Sequence, residues 1–90
     1  MNEPHDHRIK RLAMRSMRRG IKEMDVILSR FAQGLEDLGA EELDLYDAML
    51  SENDHDLYQW VSGQQGAPVR YVPMVEKIAA SVGAATPALE

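Results

Sequence analysis

Ninety residues with 44% apolar content and no cysteine describe one small folded domain. The missing cysteine excludes a disulfide framework, a thiolate zinc site and thiol catalysis. Net charge is −5, and no apolar run approaches the roughly 20 residues needed to cross a bilayer, so no membrane insertion is expected.

In chain order, the first apolar stripe is Ile9, Leu12, Ala13 and Met17, one face of a helix whose other sides carry Arg8, Lys10, Arg11, Arg15 and Arg18. The second helix has the longest seam. Ile21, Met24, Leu28, Phe31, Leu35 and Leu38 alternate steps of three and four. Gly34 and Gly39 punctuate its end, with Gly39 placed for a left-handed C-terminal cap. Leu43, Tyr46, Met49 and Leu50 share one side of a third helix, and Glu41 and Glu42 suit the positive end of its dipole.

A fourth helix starts at Asn53 or Asp54, turns Leu57, Trp60 and Val61 inward, and stops at Gly63. Trp60 is expected in the core, while Tyr58 fits either core or interface. Residues 64–73 contain a glycine and two prolines and read as a loop. A fifth helix runs from about Pro73 through Val75, Ile78, Ala79 and Val82 to Gly83, leaving "AATPALE" as a frayed tail. The fold class is therefore all-α, a compact bundle of about five short helices. It forms a single helical domain over 1–90 with an ordered core at about 7–83.

Charge is unevenly placed along this bundle. Residues 1–22 hold seven cations and two acids, and residues 23–90 hold three cations and thirteen acids. All seven early cations lie between Arg8 and Lys22. Such a segregated field can orient a partner, although solvated charge blocks also arise without one.

Catalytic and metal chemistry find no support. His5, His7 and His55 lack paired-ligand spacing. Ser16, Ser29, Ser51, Ser62 and Ser81 sit in no strand-turn-helix elbow, and Gly63 and Gly66 lack the lysine of a phosphate loop. The chain reads as a non-enzyme. A basic first helix raises nucleic-acid binding as an alternative. Against it stand a sequence pI near 5.1, acids from Glu23 onward that repel phosphates, and no later helix rich in Asn, Gln, Arg and Ser.

The two charge blocks meet in "RSMRRGIKEMD", residues 15–25. Gly20 closes one helix or opens the next, and permits a tight turn with close approach by a partner. Glu23 then falls at N3, where it accepts from free N–H groups and suits the dipole. Arg11, Arg15, Arg18, Arg19 and Lys22 converge on this corner. Their mutual repulsion requires an answer from Glu23, Asp25 or a partner's carboxylates. Residue physics puts protein docking ahead of mere solvation.

The stretch "RLAMRSMRRGIKEMDVIL" resembles the signature region of the succinate dehydrogenase assembly factor, or flavinylation factor, family. Its R-G-x-x-E hallmark is matched by Arg19-Gly20-Ile21-Lys22-Glu23, with Asp25 following. The resemblance continues in "RFA", in "LDLYDAML" and in "ENDHDLYQWVSG", in order along most of the chain. It implies a five-helix, non-catalytic bundle that binds the flavoprotein subunit of succinate dehydrogenase, and in bacteria of fumarate reductase. There it promotes autocatalytic covalent attachment of FAD to a histidine of that subunit. FAD belongs to the client, and the factor itself holds no cofactor stably.

The resemblance further implies partner-binding roles for Arg19, Gly20 and Glu23, with Arg11, Arg15, Arg18 and Asp25 beside them. Met14 and Met17 stand where relatives often carry aromatics. The lack of a long N-terminal presequence favours a bacterial, cytoplasmic protein, expected as a monomer without nucleic acid. The alternative is an interaction module of another kind, such as an antitoxin-like partner of a membrane-associated toxin, with a small nucleic-acid-binding domain ranking below it.

Overall fold

Apolar spacing of three and four closes into helices. The computed structural model describes residues 3–85, with side chains to Val82, and contains α1 (His5–Arg15), α2 (Lys22–Phe31), α3 (Ala40–Met49), α4 (Asp54–Val61) and α5 (Val72–Ala85). Short 3-10 segments follow α2 at Ala32–Asp37 and precede α5 at Val69–Tyr71. The all-α class and its five helices agree with the sequence reading, and no strand occurs among the described residues.

Each helix supplies at least one residue to a single core, including Leu12, Leu28, Tyr46, Leu57 and Ile78. Burying an aliphatic side chain of this size contributes about 1.5–3 kcal/mol, so no one helix is independently stable without its neighbours. The long seam survives a change of helix type. Met24, Leu28 and Leu35 are fully buried, while Ile21, Phe31 and Leu38 pack partly against them. A 3-10 helix repeats every three residues, so the step from Leu35 to Leu38 stays on the core face.

That tightening moves the next boundary. Gly39 is not a left-handed cap of α2: its backbone is extended, at φ −73° and ψ 170°, and it stands at the N-terminus of α3. Its N–H donates to Glu42 Oε1 at 3.0 Å, the carboxylate half of a capping box. This hydrogen bond, with Lys77 alongside, holds the Glu42 carboxyl below the usual carboxylate range. The left-handed residue after α4 is Gly63, at φ 85°, as its position past the last apolar step suggests.

Three other expectations shift. Met17 leaves the apolar stripe because α1 ends at Arg15, and it is 46% exposed. Ser16 enters the core instead, donating from Oγ to the Leu12 carbonyl at 2.7 Å and sharing a 2.6 Å hydrogen bond with the Tyr46 hydroxyl. The fully buried aromatic is thus Tyr46, packed at 5.3 Å from Phe31. Trp60 is only half-buried and stacks on Tyr71 at 5.7 Å. At the ends, His5 and His7 lie within α1, and α5 begins one residue before Pro73 and runs past Gly83. Most of the tail expected to fray lies outside the described residues.

Burial pushes the Tyr46 phenol up to about 12, with the Ser16 hydrogen bond pulling the other way. The unfolded phenol ionises near 10. The stability that depends on a neutral Tyr46 is therefore complete below about pH 10 and lost as pH rises towards 12. Urea midpoints between pH 8 and 12 should fall in the native protein and fall less in Tyr46→Phe. At neutral pH that variant should cost about 1 kcal/mol, the net worth of the lost hydrogen bond.

Candidate partner-docking site

Arg8, Arg11, Arg15 and Arg19 recur at steps of three, four and four; Asp44, Asp47, Ser51 and Asp54 recur at three, four and three. The fold closes one series onto the other. Arg8 donates to Asp44. Arg11 places Nη2 at 2.8 Å from Asp47 Oδ2 and Nη1 at 3.2 Å from Oδ1, while its Nε donates to Glu3 Oε2 at 2.9 Å. Arg15 donates to the same Asp47 carboxylate and, through Nη2, to Ser51 Oγ at 3.0 Å. These forked, charge-assisted contacts are stronger than neutral hydrogen bonds. The Arg11 guanidinium holds the Asp47 carboxyl below the usual range against partial burial, and Arg15 adds to the effect.

Arg19 lies deepest in this ladder. Its Nε and Nη2 reach Asp54 Oδ1 at 2.8 and 2.7 Å, with only 12% and 18% of the two side chains exposed. Nη1 donates to the Arg15 carbonyl at 2.8 Å and Nη2 to the Leu50 carbonyl at 3.0 Å. Asp54 Oδ2 meanwhile accepts from the Gly20 N–H at 2.6 Å. A Cβ on residue 20 would stand 3.0 Å from that oxygen, so any side chain there would press on the carboxylate and require it to shift. Between α1 and Arg19, Arg18 takes the left-handed conformation, φ 56°, which costs a non-glycine residue about 1–2 kcal/mol.

The expected site residues therefore divide. Arg11, Arg15 and Arg19 are ion-paired within the chain, by acids of α3 and α4 and by Glu3, rather than by Glu23 or Asp25. Gly20 is exposed, but its N–H is taken by Asp54. Asp25 is half-buried and accepts from Ser29 Oγ at 3.3 Å. Arg18 and Glu23 are exposed. Glu23 occupies the second helical position, not the third, because Ile21 is the N-cap. Beside it, Lys22, Val26, Ile27 and Tyr58 complete the lining of an open groove of about 470 Å³ between α2 and α4. Met14, Met17 and Val26 add exposed apolar surface on the first two helices and their connection.

Asp47, Asp54, Val26 and Tyr58 are not among the site residues expected from the sequence, although Tyr58 fits an interface as well as a core. The matching periods of the arginine and acid series are a signal that would have paired the first two. Among the described residues no cluster of His, Asp and Glu could hold a metal ion, and no helix is long and apolar enough to cross a membrane.

Fold and site together describe a class: a five-helix bundle with a charge-locked loop between its first two helices and a mixed polar and apolar surface around it. The family described as flavinator of succinate dehydrogenase matches residues 10–82, and the chain belongs to it. Its relatives include succinate dehydrogenase assembly factor 2, mitochondrial, of Candida glabrata, 48% identical over 63 residues, covering 69% of this chain and 41% of the relative. Succinate dehydrogenase assembly factor 2-B, mitochondrial, of Drosophila mojavensis is 38% identical over 80 residues, covering 86% and 51%. The Saccharomyces cerevisiae assembly factor 2 is 45% identical over 62 residues, covering 68% and 38%. The chain thus spans about two fifths to one half of the length of these relatives.

Two outcomes follow from the ladder and its loop. Asp47 has a depressed native pKa, so its stabilisation is complete above about pH 4 and lost as pH falls below that. Urea midpoints taken from pH 6 to pH 2 should drop less steeply in Asp47→Asn than in the native protein. Arg18→Gly should stabilise the fold by about 0.5–1 kcal/mol in the same assay, because the left-handed cost exceeds the entropy of the freer unfolded chain.

Proposed function

We propose that this chain docks through the α1–α2 loop onto the flavoprotein subunit of succinate dehydrogenase and promotes covalent FAD attachment there. The observation that carries this reading is the family match over residues 10–82, which takes in the loop and its Arg19-Gly20-Ile21-Lys22-Glu23 run. The surface around the loop suits such a role. Arg18 and Glu23 are exposed for charge-assisted bonds to a client, and the neighbouring groove has room for an apolar side chain. Arg11, Arg15 and Arg19 support the surface from behind, and Asp25 flanks it.

In this reading the chain performs no chemistry of its own. FAD belongs to the client, and the factor favours an arrangement of the client's domains in which flavin linkage proceeds. The flavoprotein subunit of fumarate reductase is proposed as a second client, and the factor is proposed to act as a cytoplasmic, bacterial monomer. The ladder weighs against nucleic acid, since Arg8, Arg11, Arg15 and Arg19 already face carboxylates within the chain.

Cells lacking the protein should show reduced covalent flavin fluorescence on the dehydrogenase subunit in a denaturing gel, restored by the intact chain. Undiminished fluorescence in those cells would sink the proposal. In a pull-down with purified flavoprotein subunit, Glu23→Ala should weaken association about tenfold, as expected for one charged interface residue, with its melting temperature lowered by only a few degrees for the lost first-turn acid of α2.

A further inference from the structure

We infer that Asp54, outside the R-G-x-x-E run, is a positioning residue: its carboxylate holds the loop in the conformation that presents Arg18 and Glu23. The two oxygens have separate tasks. Oδ1 receives the Arg19 guanidinium and Oδ2 receives the Gly20 N–H, at 2.8 and 2.6 Å. Two adjacent residues of the loop are thereby fixed to the first residue of α4. Arg19 is also bound to the last carbonyl of α1 and to the carbonyl of Leu50, so it cannot follow the loop if the loop moves.

Arg18 is the residue under constraint. An L-residue at φ 56° relaxes to ordinary backbone unless its surroundings over-determine it. Just after it, that determination comes from Asp54. The left-handed turn separates neighbours in sequence: Arg19 is drawn into the ladder while Arg18 remains exposed. Gly20 fits the same account, because a side chain there would press on Asp54 Oδ2. Glycine lets this carboxylate approach without displacement.

An asparagine at 54 has one acceptor where the carboxylate has two, and sets an NH2 group against one of the two donors. In Asp54→Asn, nuclear magnetic resonance should show the Gly20 amide proton moving upfield. Amide exchange over residues 17–22 should quicken about tenfold or more, while exchange in α3 and α5 stays as in the native chain. The docking half rests on the function proposed above, and affinity for the purified flavoprotein subunit should fall about tenfold. Asp56→Asn, which removes another first-turn acid of α4, should leave loop exchange and affinity unchanged. That control separates positioning from a general charge effect at the helix terminus.

An unaltered Gly20 amide in Asp54→Asn would overturn the inference, as would a loosened loop with undiminished affinity. If Asp54→Asn fails to fold, Arg19→Lys, which keeps the charge but loses the fork, should reproduce the loop loosening; a native loop there would equally overturn it. Failure of the native chain to bind the flavoprotein subunit would defeat the functional reading and the docking half, while the exchange result would still decide the loop half.

Discussion

One guanidinium ties four parts of this chain together. Arg19 reaches the last carbonyl of α1, the carbonyl that follows α3, and the first side chain of α4, and it does so from the loop that leads into α2. The arrangement is electrostatically economical. Two helices end in partial negative charge and meet a cation; one helix begins in partial positive charge and meets an anion. A half-buried pair so thoroughly hydrogen-bonded escapes the uncompensated desolvation that makes many buried ion pairs costly. Lysine could supply the charge but not the planar fork that satisfies three acceptors at once.

Because that group is fixed, the residues on either side of it can do different things. Arg18 and Arg19 are adjacent and chemically identical, yet one is exposed and the other is held within the ladder. The difference lies in a single backbone torsion, the positive φ at residue 18. A run of five letters therefore combines structural and outward-facing parts. Arg19 and Gly20 answer to Asp54, whereas Glu23 lies exposed at the start of α2 beside the groove. The family to which the chain belongs was recognisable from the run and its context, but the run does not disclose which of its letters face inward.

Legibility followed the range of the interactions. The helices were readable because a step of three or four is a local property, and the seam from Ile21 to Leu38 even survived conversion to 3-10 geometry. Boundaries went astray where tertiary contacts intervened. Gly39 was misplaced because the 3-10 segment had already turned the chain, and Met17 because Ser16, bonded to Tyr46, took the buried position after α1. Of the arginine corner, Arg11, Arg15 and Arg19 share one ladder; the expected answering acids were Glu23, Asp25 or a partner's carboxylates, and the structure pairs the three with neither Glu23 nor Asp25. Apart from Glu3 beside Arg11, their counter-charges stand more than thirty residues away, at Asp47 and Asp54, a closure that no window along the first helix contains.

The ladder also alters how the molecule looks from a distance. In linear form the chain is polarised, basic at one end and acidic along the rest. Folded, much of the basic segment lies against Asp44, Asp47 and Asp54, so opposite charges cancel over a few ångströms, well inside a Debye length of about 10 Å. A protein approaching this face then meets short-range texture, while the wider field is set by the chain's net charge of −5. At this face an encounter gains little from the paired charges of the ladder. Selectivity then has to reside in how long the complex lasts once its surfaces have met.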